Sequence, residues 1–213
     1  MSANRRTPRD VRRRRLGQNF LRRGLADRIV GEAGVRPGEF VIDIGAGAGA
    51  FTLALALRRA DVVAIELDPI WADRLRATLA HVRVVNADFL DVPLPSRPFR
   101  AVGCLPFGAT TAILHRLLDD PSVPLHRADL VVQWEVARKR AATPPSSLIS
   151  TTWAPWWEFR LGRRVPAAEF RPVPRVDAAV LTIVRRDPPL LPSAMAAPYA
   201  AFVRANWPFA ASS

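Results

Sequence analysis

Apolar positions along this chain fall into short blocks whose spacing switches repeatedly between two periods. Leu25, Ile29, Val30 and Ala33 recur at helical spacing and predict a helix over 25–35. "EFVIDIGAG" (39–47) then reads as a strand ending in a glycine loop, and "AFTLALALRRA" (50–60) as a helix. The alternation continues through "DVVAIELDP" (61–69) as strand, "WADRLRATLA" (71–80) as helix and "VRVVNADF" (82–89) as strand. A fourth strand runs from Phe99 to Leu105, stops at Pro106, and gives way to the helical "TAILHRLL" (111–118). "ADLVVQWEVARKR" (128–140) reads as a fifth strand running into a basic turn, and "AAVLTIVRR" (178–186) as a late strand. Strands separated by helices of about ten residues call for crossover connections and a mostly parallel sheet covered on both faces. The fold expected is therefore doubly wound α/β.

Pro/Ser-rich "ATPPSSLIS" (142–150) reads as a loop, and "RRDPPLLPS" (185–193) marks a boundary after the last strand. Three units are expected: a basic arm over 1–23, a catalytic body over 24–187, and a short helical remainder over 188–213. There are no internal repeats. At 213 residues the chain can bury a substantial core, and no apolar run approaches the roughly 20 residues of a membrane span. No apolar signal region follows the N-terminal charges, so a cytoplasmic protein is expected. The single cysteine, Cys104, excludes an internal disulfide and a cysteine-built zinc cluster.

Charge adds a partner to this picture. Lys and Arg total 31 against 19 acids, a net +12, and Lys139 is the one lysine. GC-rich codon usage accounts for part of that arginine bias. Residues 1–23 nevertheless hold nine arginines against one acid, Asp10, a surplus of eight. Such a block reads as a polyanion-binding arm, with Arg12, Arg13, Arg14 and Arg15 at its centre, or else as a solvated tail. Arg138, Lys139, Arg140, Arg160, Arg163 and Arg164 form a second basic group, with ordinary surface charge as the alternative. Trp153, Trp156 and Trp157 either stack on bases or pack under a strand.

Chemistry is expected at the carboxyl ends of the strands, where open α/β sheets bind ligands. Gly45, Gly47 and Gly49 occupy the first such end, and the following helix N-terminus offers free N–H groups. Glu66 closes the second strand, placed to accept both hydroxyls of a ribose. To this point NAD and S-adenosyl-L-methionine fit alike. Asp88, at the third end, can accept an adenine amino proton or cap a helix, and Phe89 can pack on the ring. The fourth end, Cys104-Leu105-Pro106-Phe107, tips the balance toward the methyl donor. A rigid proline-aromatic step gives a flat amine a ring to stack on and main-chain carbonyls to accept its protons. Phe107 as core filler is the alternative.

"LGQNFL", "VIDIGAGAGAFT", "AIELDP", "NADFLD", "LPFGATT", "QWEVARKR" and "FRPVPRVDAAV" stand in order between residues 16 and 180. In that register the chain resembles the rRNA adenine-N6 methyltransferases, the family shared by macrolide-resistance (Erm-type) enzymes and small-subunit dimethyladenosine transferases. The resemblance covers residues 16 to about 187, and "EVARKR" with the arginine-rich arm is closer to the Erm-type branch. It implies a seven-stranded Rossmann-like methyltransferase sheet and S-adenosyl-L-methionine as cofactor. It implies methylation at N6 of one adenine of 23S rRNA before ribosome assembly, with macrolide, lincosamide and streptogramin B resistance. A monomer without metal or membrane attachment is implied too. The alternatives are 16S rRNA dimethylation, or an rRNA-binding protein that keeps the fold without turnover.

Carried over by position, the resemblance places Gln18, Asn19 and Leu21 as a segment closing over the cofactor. Gly45 and Gly47 would lie against its methionine moiety, Glu66 and Leu67 at its ribose, Asp88 and Phe89, backbone included, at its adenine, and Cys104 also in contact with it. Phe107 would stack on the target base, with Leu105 and Pro106 forming its step and Phe170 as a second aromatic nearby. One position departs from the family pattern, which has asparagine where this chain has Cys104. A thiol is a poor hydrogen-bond acceptor, and an activated thiolate nucleophile lacks an evident partner, so Cys104 is expected to fill space.

Overall fold

The computed structural model describes residues 18–207. Arg12 to Arg15, the centre of the expected arm, lie outside the described residues. The chain enters through a two-residue strand, β1 (Phe20–Leu21), followed by helix α1 (Arg23–Ala33). Then come β2 (Phe40–Ile44), α2 (Ala50–Leu57), β3 (Asp61–Glu66), α3 (Pro69–Thr78) and β4 (Arg83–Asn86). β5 (Phe99–Cys104), α4 (Thr110–Leu118) and β6 (Leu125–Gln133) follow. The last third contains α5 (Trp134–Arg140), α6 (Leu148–Trp153), β7 (Trp157–Val165), β8 (Phe170–Arg171), β9 (Ala178–Arg185) and α7 (Ala196–Asn206).

Seven strands form one sheet in the order β4-β3-β2-β5-β6-β9-β7. β4, β3, β2, β5 and β6 run parallel, while β9 is antiparallel to both neighbours. The expected doubly wound sheet is thus present, with seven strands. Because strand side chains alternate, each central strand feeds two cores. Val41, Val62, Val102 and Val131 face α1, α2 and α3. Ile42, Ile65, Ala101 and Leu130 face α4 and the tryptophan-rich segment. Between β2 and β5 the chain reverses its direction of winding, and the open ends of those two strands lie side by side.

Two readings of the periodicity need correction, and one strand escaped it. The basic turn after the fifth strand is helical, since α5 takes in Trp134 to Arg140. The loop over 142–150 already contains the start of α6, whose first turn is capped by the Ser147 side chain accepting the Ser150 N–H. The strand β7 alternates only over its first half, Trp157, Phe159 and Leu161 against Glu158 and Arg160, and then loses the pattern where Arg160 to Arg164 are solvent-exposed at the sheet edge. The tryptophans pack rather than stack: Trp153, Trp156 and Trp157 are all buried. Their indole N–H groups donate to Asp119 (2.7 Å), the Leu191 carbonyl (2.8 Å) and the Leu118 carbonyl (3.2 Å). No helix among the described residues is long and apolar enough to cross a membrane.

Candidate active site

The glycine turn after β2 is built on backbone geometry that side chains resist. Gly45, Gly47 and Gly49 have φ of 71°, 53° and 81°, the left-handed region open chiefly to glycine. Gly47 is also closely approached, since a Cβ there would stand 3.1 Å from two carbons of the Phe20 ring. Its N–H donates to Glu66 Oε2 at 2.6 Å, and the N–H of Asp68 donates to Oε1 at 2.7 Å. The Glu66 carboxylate, buried at the end of β3, therefore ties the glycine turn to the start of α3. Burial raises its pKa, and the two backbone donors pull in the opposite direction.

β5 delivers the other half of the site. Leu105 donates its N–H to the Val131 carbonyl at 3.0 Å and buries its side chain, which fixes the step before Pro106. Pro106 ends the ladder, and its carbonyl accepts the Ala109 N–H (2.9 Å) and the Thr110 hydroxyl (3.1 Å) at the start of α4. Phe107 is held in that turn, half-buried. Gln18, Asn19, Leu21, Gly45, Gly47, Glu66, Leu67 and the Cys104-Leu105-Pro106-Phe107 step all line one open cleft.

A strap roofs the glycine turn. Phe20 and Leu21 pair antiparallel with Arg171 and Phe170, and the Arg22 N–H donates to the Glu169 carbonyl at 3.0 Å. Phe20 also packs on Trp71, with ring centroids 4.8 Å apart. Phe170 is wholly buried beneath this strap, in the core with Leu21 and Leu25. The expectation of a second aromatic open to the target base is corrected accordingly: no face of the Phe170 ring is exposed, and the ring supports the strap instead. Phe89 is likewise buried, in the core with Ile65 and Leu105, so its ring cannot lie on an adenine. Asp88 stands outside the cleft lining and caps a turn, accepting the Leu90 N–H at 2.9 Å. Its segment is anchored beside the site, because Asn86 Nδ2 donates to the Glu66 carbonyl at 2.8 Å.

Periodicity passed over one residue of this region. Asp43 is a wholly buried carboxylate in the middle of β2. Its Oδ2 accepts the Thr52 hydroxyl at 2.6 Å, whereas its Oδ1 accepts no hydrogen bond. A charged residue inside an otherwise apolar five-residue strand was the available signal. Burial, and secondarily the nearby Glu66 charge, raise its pKa to about 7. Burial and the Asp43 charge together push the Cys104 thiol up to about 12. Cys104 is thus a neutral thiol at physiological pH, and a thiolate nucleophile is excluded.

The raised Asp43 value has a consequence for stability. An unfolded Asp43 titrates near 3.8 and the folded one near 7, so between these values the folded state binds the extra proton. Stability from this group is complete below about pH 4, falls as the pH rises through 7, and is flat beyond. Asp43→Asn keeps an acceptor for Thr52 and removes the titration. Its melting temperature should exceed wild type by about 10 °C at pH 8, with the gap closing near pH 4. A gap independent of pH in thermal melts contradicts the assignment.

The second basic group is largely paired internally. Arg138 bonds Glu135 (2.7 Å), Arg160 bonds Glu158 (2.7 Å), Arg164 bonds Asp177 (2.8 Å), and Arg163 bonds Glu32. These pairs are exposed and worth about 0–1 kcal/mol each, so they do not fix the side chains. Arg140 is different and corrects the expectation of an RNA contact. Its guanidinium is buried, donates to the Ser147 and Ser150 hydroxyls (2.8 and 3.3 Å), and lies 5.7 Å from the Trp153 ring centroid. Lys139 is exposed. Among the described residues no group of three or more His, Cys, Asp or Glu side chains could hold a metal ion.

Known proteins resemble this chain in sequence and fold. The family model for ribosomal RNA adenine dimethylase matches residues 9–207. The mycinamicin-resistance protein MyrB of Micromonospora griseorubida is 42% identical over 200 residues, covering 93% of this chain and 64% of its own length. An rRNA adenine N-6-methyltransferase of Corynebacterium diphtheriae is 39% identical over 178 residues, covering 83% of this chain and 70% of its own. The crystal structure of the 23S rRNA methyltransferase ErmE superposes with a TM-score of 0.77 at 37% identity, over 87% of this chain and 78% of that one. The chain thus spans slightly under two thirds of MyrB. With the glycine turn, the buried Glu66 carboxylate and the proline-aromatic step gathered on one cleft, the chain belongs to the ribosomal RNA adenine dimethylase family.

Proposed function

We propose that the chain methylates N6 of an adenine in 23S rRNA, with S-adenosyl-L-methionine as donor, and thereby gives resistance to macrolides, lincosamides and streptogramin B. The observation that carries this reading is the placement of Phe107. The ring stands just past Pro106 in the lining of the cleft that also contains Gly45, Gly47 and Glu66. An extruded base stacked there faces the glycine turn. The printed names of MyrB and ErmE support the 23S substrate and the resistance role. Protein-free 23S rRNA in the cytoplasm is the substrate this reading names.

The cleft fits the donor by its hydrogen-bond chemistry. A ribose diol and an ammonium group bring donors, and this site is rich in acceptors. Gln18 Oε1 is shielded from solvent and accepts nothing from the protein. Glu66 uses each oxygen once, leaving further lone pairs for ribose hydroxyls. When bound, the donor supplies an electrophilic methyl on a sulfonium. The chain's own residues then do the positioning. Phe107 holds the base flat, and the Leu105 carbonyl ahead of Pro106 accepts an amine proton. The N6 lone pair is thereby turned toward the cleft, and such alignment is worth several powers of ten in rate without a strong base. Cys104, a neutral thiol, contributes little as an acceptor.

The reading is tested by incubating purified protein with protein-free 23S rRNA and methyl-labelled donor. Label should appear as N6-methyladenine in one rRNA fragment by mass mapping, and label absent from 23S rRNA rejects the proposal. The weaker acceptor at Cys104 favours a second outcome, slow turnover. Cys104→Asn should then raise the rate by roughly 5- to 150-fold, the worth of one hydrogen bond of about 1–3 kcal/mol.

A further inference from the structure

We propose that Asp68, which touches no reacting group, is a positioning residue that fixes which way the Gln18 amide faces in the cofactor cleft. The inference rests on the cofactor reading above and deepens it. Gln18 Nε2 donates to Asp68 Oδ2 at 3.0 Å, bridging the strap to the first turn of α3 across 50 residues of chain. The other side of that amide, Oε1, is shielded from solvent without a protein partner, on a residue lining the cleft.

Oxygen and nitrogen of an amide are nearly equal in shape, so only the surrounding hydrogen bonds decide which one faces a ligand. A carboxylate accepts and never donates. Asp68 therefore draws the NH2 of Gln18 toward itself and turns Oε1 to the cleft. Asp68 is in turn locked: its Oδ1 accepts the Ile70 N–H at 3.0 Å as the N-cap of α3, and its own N–H donates to Glu66 at 2.7 Å. One aspartate thus couples the helix cap, the ribose-type carboxylate and the polarity of the strap amide. The result is a site edged by acceptors on both sides, suited to a ligand that presents hydroxyl or ammonium donors. A donor-facing amide would repel the same groups.

The test exploits the inversion. Asp68→Asn keeps an N-cap of equal quality, but the new Nδ2 faces Gln18 Nε2, and the glutamine amide must turn over to accept from it. Titration calorimetry with S-adenosyl-L-homocysteine should show binding about tenfold weaker than wild type, with the melting temperature within about 2 °C. In turnover, the Michaelis constant for the donor should rise by a similar factor while kcat changes by less than about twofold, as for uniform binding. Combining Gln18→Glu with Asp68→Asn restores the pattern, since the introduced carboxylate accepts from the introduced amide and still turns an oxygen to the cleft. The affinity of this double variant should return to within about threefold of wild type, a recovery no loss of folding can mimic. Unchanged affinity in Asp68→Asn, or a double variant no tighter than that single one, overturns the inference while leaving the cofactor reading intact. Failure of wild type to bind the homocysteine ligand at all overturns both.

Discussion

Phe107→Ala should lower kcat on 23S rRNA by about 100-fold while leaving the fold and rRNA affinity nearly unchanged. Stacking of one base on an aromatic ring is worth about 1–3 kcal/mol, which corresponds to roughly 5- to 150-fold in rate. The upper part of that range applies because the ring also sets the distance between N6 and the glycine turn, and small misplacements are costly. Phe107 sits between Pro106, whose carbonyl starts α4, and exposed Gly108, so truncating its half-buried ring disturbs little packing. Cys104→Ser, one turn of chain earlier, should change the rate by less than about threefold, since a neutral thiol and a hydroxyl are similar in size. Single-turnover kinetics with both variants checks the division of labour. Equal losses contradict it.

Gly103→Ala should be the most damaging single methyl in the sheet. Gly103 pairs with Ile44 where β2 and β5 run side by side, and a Cβ on it would stand 2.4 Å from the Ile44 carbonyl oxygen. The obstacle is backbone, and β2 cannot retreat because β3 is bonded along its other edge. Over-packing of this kind costs about 3 kcal/mol, a fall of roughly 6–12 °C in melting temperature for a chain of this size. Activity should fall further than stability alone explains. Ile44 immediately precedes Gly45, and Gly103 immediately precedes the step that carries Phe107, so parting the two strands parts the two halves of the site. A melting temperature within about 2 °C of wild type would show that the strands can yield.

The periodicity located the helices of the first two thirds because each has a buried face and an exposed one, and the central strands because, buried on both faces, they read as short continuous apolar runs. α1 shows this in Leu25, Ile29 and Val30 against Asp27 and Arg28. It passed over β7, an edge strand that alternates only from Trp157 to Leu161 before an exposed stretch with arginines on both faces. It failed also at α5, where a run of basic residues reads as a turn until Ala137 and Arg140 are seen to be buried. The glycine turn, Glu66 and the proline-aromatic step were legible because strand ends and glycines mark them in one dimension. Phe89 and Phe170 were misjudged for the opposite reason. An aromatic beside a motif looks like part of the site, and only burial tells whether its face is open.

Local spacing and residue chemistry by themselves determined the alternating strands and helices, the glycine turn with its carboxylate, and the aromatic beyond Pro106. They could do so because backbone geometry, side-chain period and hydrogen-bonding type are properties of neighbouring residues. The tertiary structure decided which groups share a cleft and which way they face. It turned Arg140 inward, placed Asp43 beside Cys104, closed the strap over Gly47, and set Asp68 against Gln18. Each of these depends on burial and on partners tens of residues away, and no pattern read along the chain contains that information.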